Sequence, residues 1–190
     1  MIDNILELDE KLLLFINGLN SPWLDSLMFS LTNNKIWAPL FLLTIIFILA
    51  KFRVKGIYIL LFVGLVITLG DQISSSLLKP LVGRLRPSHE PHLEDILHIV
   101  NNYRGGLYSF VSSHATNSFG VATILWLLIG KQYKWILLFF GWAVIFSFTR
   151  VYLGVHYPSD IISGALMGTS IAVGVNWLFR KYTPQLFPFN

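Results

Sequence analysis

Residues 149–160 read TRVYLGVHYPSD; in them a long apolar segment ends, a short turn intervenes and a new helix begins. Pro158 suits the first position of a helix, because its missing N–H would be unpaired there anyway. Asp160 then falls in the first turn, where the helix dipole favours a carboxylate. From there it can reach back to one ring nitrogen of His156, fix the tautomer and leave the other nitrogen free to attack. Arg150, upstream, supplies a planar fork of donors suited to phosphate. Span, turn and span within so few residues predict membrane helices with chemistry at one rim.

The composition agrees. The chain has 190 residues, 54% of them hydrophobic and 13% charged, with mean hydropathy +0.64. That is too apolar for an ordinary soluble domain and predicts one integral-membrane domain over residues 1–190. Cysteine is absent, which excludes disulfides and thiolate metal sites. The N-terminal MIDNILELDEK is acidic and lacks the basic region of a signal peptide, so insertion is expected to rely on the spans themselves.

Residues 1–19 place Ile5, Leu8, Leu12 and Phe15 three or four apart, with Asp3, Glu7, Asp9 and Glu10 between them. This pattern predicts an amphipathic helix on or half in the membrane. Residues 23–32 are apolar but short for roughly 30 Å of hydrocarbon and read as a partial or tilted first span. Firmer spans are expected at 36–50, 56–78, 113–130, 134–151 and 159–179. The fold class is therefore all-α, a polytopic membrane helix bundle of about six transmembrane helices with an N-terminal amphipathic helix. Lys51, Arg53 and Lys55, then Lys131 and Lys134, then Arg180 and Lys181 fall on one side of the alternating spans. The positive-inside rule makes that side cytoplasmic and puts residues 79–112 and 150–157 on the outer face. The chemically interesting residues are therefore expected on the outer face of the membrane.

Polar residues gather on that outer face. Asp71 sits inside a span, which makes it a functional candidate that either pairs with a neighbouring helix or lines a cavity. Lys79, Arg84 and Arg86 crowd eight residues; alone they would suit nonspecific lipid phosphates. The loop 88–108 carries His89, His92, Glu94 and His98, ligand types for a divalent ion in a spacing that fits no compact zinc pattern; a lid or head-group reader is the stronger expectation. Arg104-Gly105-Gly106 reads as a turn. Ser112 suits an N-cap, with the free amides of Ser113 and His114 forming an anion cradle.

Taken together, Lys79-x6-Arg86-Pro87, then Val111-Ser112-Ser113-His114, then Thr149-Arg150-x5-His156-x3-Asp160 resemble the three motifs of the type 2 phosphatidic acid phosphatase superfamily of lipid phosphatases. Val111 stands where that family usually has proline, and Thr149 where it has serine. The resemblance implies that His156 attacks phosphorus and becomes a phosphohistidine, that Asp160 orients it, and that His114 protonates the leaving oxygen and then activates water. It implies that Lys79, Arg86, Arg150, Ser112 and Ser113 hold the phosphate. Arg84 is left to touch either substrate or solvent. No metal or cofactor is implied, nor a nucleic-acid partner; the partners are a lipid phosphate and membrane lipids, with the oligomeric state open. The compact chain resembles the bacterial undecaprenyl diphosphate phosphatases. That resemblance implies a bacterial cytoplasmic membrane as the location, with the active site on the periplasmic or extracellular side, and undecaprenyl diphosphate as the substrate. The alternatives are phosphatidylglycerophosphate, phosphatidate, lipid A, or phosphate transfer to a lipid acceptor.

Overall fold

The computed structural model describes residues 2–184, and within them every regular element is helical. The side chains of Asp3 and Ile5 lie outside what is described. In chain order the helices are α1 (Ile2–Asn17), α2 (Pro22–Leu31), α3 (Asn34–Phe52), α4 (Val54–Asp71), α5 (Lys79–Val82), α6 (Ser113–Leu125), α7 (Leu138–Tyr152) and α8 (Pro158–Tyr182).

Helix α6 is the axis. Ten of its thirteen residues are buried, and α4, α7 and α8 pack around it. The closest approach is to α8, where glycine is required. A Cβ on Gly164 would stand 2.6 Å from the Ser112 carbonyl oxygen, and one on Gly168 would run into the Thr116 carbonyl. Small residues let helix backbones meet in a membrane, where no hydrophobic effect drives them together. The Ser112 amide also donates to the Asp160 carbonyl at 3.2 Å. The starts of α6 and α8 are thereby locked side by side.

All five expected firm spans form helices. Four are long and apolar enough to cross a membrane: Asn34–Phe52, Val54–Val82, Lys134–Tyr152 and Pro158–Tyr182. Residues 113–130 form the fifth helical rod, whose first turns carry Ser113, His114, Thr116, Asn117 and Ser118 and are correspondingly less apolar. The segment 23–32 differs from a span. At ten residues α2 covers about 15 Å, half of the hydrocarbon thickness. It is also tied near both ends to the last turn of α7: Tyr152 donates to Asp25 at 2.5 Å and Arg150 to Thr32 at 2.8 Å.

The outward faces of α3 and α7 carry Leu42, Leu43, Ile46, Leu138 and Val144, all exposed as lipid-facing residues should be. Helix α1 turns Leu8, Leu12 and Phe15 outward too, while Asp9, Leu13 and Asn17 face the protein. Its outer apolar stripe is left for lipid, Glu7 and Lys11 stay exposed, and a mixed face of Asp9, Leu13 and Asn17 docks on the bundle. Asn17 fixes the loop 88–108 by bonding both the His98 backbone and the Tyr152 carbonyl. That loop folds into three short 3₁₀ turns and buries Leu93 and Leu97 against Leu13, Val151 and Tyr157. It forms a roof over one end of the bundle.

Candidate active site

At the end of α7 the chain turns through Gly154, whose φ of +67° is left-handed and beside which a Cβ would meet Leu97 at 2.8 Å. The amides of Val155 and His156 both donate to the Arg150 carbonyl, at 3.1 and 3.2 Å, and this folds His156 into the interior. Pro158 opens α8 as expected, with Asp160 in its first turn. Asp160 Oδ2 accepts from the Tyr157 amide at 2.9 Å and lies 3.3 Å from His156 Nδ1. That pairing assigns the proton to Nδ1 and leaves a lone pair on Nε2. His156 Nε2 is buried and has no partner.

Among the described residues three more buried nitrogens lack partners: Trp142 Nε1 in α7, and Arg86 Nη1 and Arg150 Nε. Each of the two guanidinium groups is anchored through at least one other donor. Arg86 Nε donates to the Tyr108 carbonyl at 3.1 Å, and Gly105, at φ +67°, leaves the space that Nη1 occupies. Arg150 donates through Nη1 to Thr32 and through Nη2 to the Tyr103 hydroxyl at 2.9 Å. Lys79 Nζ donates to Ser113 Oγ at 2.8 Å. Ser74 and Ser75 reach the same hydroxyl, because the helix adopts a π form over Gln72–Leu78 and turns two successive serines the same way.

The electrostatics suit an anion. Burial, then the charges of Arg86, Arg150 and Lys79, hold the His156 imidazole well below the ordinary histidine range. Burial and the neighbouring Arg150 lower Arg86 to about 10, still fully charged at neutral pH. Cations this close repel one another, and a phosphate placed among them would relieve that repulsion. His114 lies within electrostatic reach of Arg150, His156, Arg86 and Lys79. Its ring packs 5.1 Å from that of Phe146 and borders a cavity of about 520 Å³ between α3, α4, α6 and α7.

The structure thus brings together Lys79, Arg86, Ser112, Ser113, His114, Arg150, His156 and Asp160. Ser112 caps α6 as expected, its Oγ accepting from the Ala115 amide at 3.4 Å. Asp71 lines the cavity and accepts from Ser75 at 3.1 Å. Arg84, which the sequence left to touch either substrate or solvent, is 19% exposed and is held by protein groups. It donates to Asp160 Oδ1 at 3.0 Å and to Asp9 Oδ2 at 2.7 Å, and stacks 3.8 Å over the Tyr157 ring. Asp9, read as part of the acidic face of the amphipathic helix, is buried, and it also caps α8 by accepting from the Ser159 amide at 2.8 Å. Tyr103 and Thr32 were also missed; a tyrosine in a loop and a threonine after a short helix carry no local signal. The candidate ligands of the loop separate: His92 pairs with Glu10, His89 with Ser88, and Glu94 faces Arg104. Among the described residues no three His, Cys, Asp or Glu side chains converge on a metal position.

The family model of the PAP2 superfamily matches residues 57–184. The chain belongs to that superfamily. Its membrane PAP2 relatives include the lipid A 4′-phosphatase of Bacteroides thetaiotaomicron, 43% identical over 193 residues, which cover 98% of this chain and 83% of the relative. The lipid A 4′-phosphatase of Porphyromonas gingivalis is 34% identical over 95% of this chain and 75% of its own. The crystal structure of the PAP2-type phosphatidylglycerolphosphate phosphatase of Bacillus subtilis superposes with a TM-score of 0.68 at 23% identity, over 95% of this chain and 88% of that one. As a PAP2 protein the chain is a lipid phosphatase, and its apolar helices make it an integral membrane protein.

Proposed function

We propose that this PAP2 enzyme hydrolyses a phosphate monoester of lipid A, the 4′-phosphate, through a phosphohistidine at His156. The observation that carries the reaction is that three of the four buried, unpaired nitrogens among the described residues, His156 Nε2, Arg86 Nη1 and Arg150 Nε, belong to the motif residues. One is a neutral nucleophile and two are fixed donors, the complement of a phosphoryl group under attack. His156 Nε2 attacks phosphorus while Asp160 stabilises the ring as it becomes positive. Lys79, Arg86, Arg150, Ser112 and Ser113 hold the non-bridging oxygens. His114, at the cavity mouth, gives a proton to the departing alcohol and then takes one from the water that cleaves the P–N bond.

The substrate rests on the relatives. Both curated relatives named above are lipid A 4′-phosphatases, and they support the lipid A alternative over undecaprenyl diphosphate.

The site opens on the outer side of a bacterial cytoplasmic membrane. The α3–α4 corner around Arg53, the 131–134 turn and the end of α8 stand at the opposite end; Phe52 packs on Tyr133, and Arg180 bonds the Leu127 carbonyl. Those basic ends favour the cytoplasm. Five helical rods then cross the membrane, while α1 and α2 lie at the site end.

The test is phosphate release by the purified protein from a 1,4′-bisphosphorylated lipid A, with the remaining phosphate located by mass spectrometry and His156→Ala run beside it. Loss of the 4′-phosphate by wild type alone is expected. Turnover of undecaprenyl diphosphate with lipid A untouched would overturn the substrate.

A further inference from the structure

The cavity that begins at His114 lies outside the phosphate cradle. Ser113 and His114 line it, but Lys79, Arg86 and Arg150 do not. A phosphate ester held by the cradle, with its leaving oxygen at His114, must therefore place its alcohol here. Most of the wall is apolar, with Phe41, Ile67, Val121 and Trp142. A second apolar cavity of about 310 Å³ continues between α3 and α4 and shares Phe41, Ile67 and Val121 with the first. Together they suit a head group followed by hydrocarbon chains.

One feature of this wall does not suit hydrocarbon. Asp71, the only acidic side chain lining the cavity, projects from a membrane-spanning helix, where an acid is costly unless it has a use. Its carboxylate is exposed and among the described residues accepts a hydrogen bond from Ser75, although a carboxylate offers about four acceptor positions. Beside it Asn117 also lines the cavity, and its Oδ1 is buried without a partner. Asn34, the first residue of α3, completes a polar collar one helix away.

We propose that Asp71, with Asn117 and Asn34, is the specificity determinant for the leaving group: it selects a neutral alcohol bearing hydroxyl or amide N–H donors and rejects one that leaves as an anion. This rests on the phosphatase reading above. A sugar alcohol carrying acyl amides gives the carboxylate the donors it lacks. A diphosphate, whose leaving group is itself a phosphate, brings like charge towards Asp71 and is disfavoured. Breaking the same P–O bond is thus easy or hard according to what lies beyond the oxygen.

A second route from Asp71 to the chemistry exists and must be separated from this one. Ser75 bonds both Asp71 and Ser113, and Ser113 accepts from Lys79. Were Asp71 to act through Lys79, every substrate would suffer alike, because all share the phosphate.

The experiment compares kcat/KM of wild type, Asp71→Asn and Asp71→Glu on three lipids: a lipid A 4′-phosphate, phosphatidate, whose diacylglycerol is neutral and poor in donors, and undecaprenyl diphosphate. For Asp71→Asn a loss of about tenfold on lipid A is expected, as for one hydrogen bond to a charged group, with phosphatidate little changed and the diphosphate gaining. Asp71→Glu keeps the wild-type order, and inhibition by orthovanadate, which reports the phosphate cradle, stays the same in both variants. Equal changes on all three lipids, or a weakened vanadate inhibition, would overturn the proposal, as would no change at all. If wild type leaves lipid A untouched, the substrate named above fails. The collar is then judged on the other two lipids, where a gain on the diphosphate relative to phosphatidate supports it and no gain sinks it.

Discussion

Asp9, on the amphipathic N-terminal helix, and Asp160, beside His156, are bridged by a single guanidinium: Arg84 donates to Asp9 at 2.7 Å and to Asp160 at 3.0 Å. The acidic stripe of α1 is thereby connected to the site. Asp9 holds Arg84, Arg84 fixes one oxygen of Asp160, and the other oxygen of Asp160 faces the histidine ring.

Asp9→Asn is expected to lower kcat about tenfold with KM within about twofold, because the cradle is intact while the orienting carboxylate loosens. Arg84→Met should do the same, and the double variant should cost little more than either alone, since they act in one chain. Steady-state kinetics on the three variants reads this out; a large rise in KM would place Arg84 against substrate instead.

Asp160→Asn keeps an oxygen for the Tyr157 amide, so the fold should persist. That oxygen still faces His156 Nδ1, but the negative charge that stabilises the ring is lost and an NH₂ replaces the acceptor of Arg84, so kcat should fall on the order of 10²-fold or more. Circular dichroism and thermal unfolding beside the assay check both halves. A near wild-type rate would remove the orienting role.

The pH dependence follows from His156. Its folded pKa lies well below the ordinary value of 6.5, so the neutral nucleophile persists as pH falls through 6.5. The acid limb of kcat/KM due to this group is therefore expected well below pH 6.5, and Arg86→Gln, which removes the largest of the charge effects, should move it upward. Linkage gives the opposite sign for stability. The unfolded histidine takes up a proton near pH 6.5 and the folded one does not, so His156 favours unfolding progressively as pH drops below that value. A kcat/KM profile for both proteins tests the first statement, and thermal unfolding between neutral and mildly acid pH tests the second.

Gly168→Ala should destabilise by about 2–3 kcal/mol, since its methyl group would enter the Thr116 carbonyl and push α8 from α6. Gly174→Ala, where a Cβ meets nothing within 4 Å, serves as the neutral control. Thermal unfolding in detergent compares the two.

The local geometry of the site was legible in the sequence because it is written in short spacings. The Pro158 helix start, the four-residue step from His156 to Asp160 and the Ser112 cap are local geometry, and each forms as read. The five firm spans were legible from hydropathy, to within two residues at most ends; the α4 rod runs on to Val82. What could not be read is what joins distant segments. Arg84 meets Asp9 across 75 residues and Arg150 meets Thr32 across 118, and neither pairing leaves a periodic trace. The α1 stripe was visible, but not that Asp9, Leu13 and Asn17 would be its docked face. The π form over Gln72–Leu78 has no simple sequence signature either, although it delivers Ser74 and Ser75 to Ser113.

The central claim is that His156 carries the phosphoryl group, and rapid-quench labelling tests it most directly. Wild-type protein is mixed with lipid A bearing a ³²P 4′-phosphate, quenched within one turnover, and digested for mass spectrometry. The account predicts protein-bound label that survives alkali, is lost in acid, maps to His156 and is absent in His156→Ala. Label on another residue, or full turnover with no labelled protein at any time point, would contradict it.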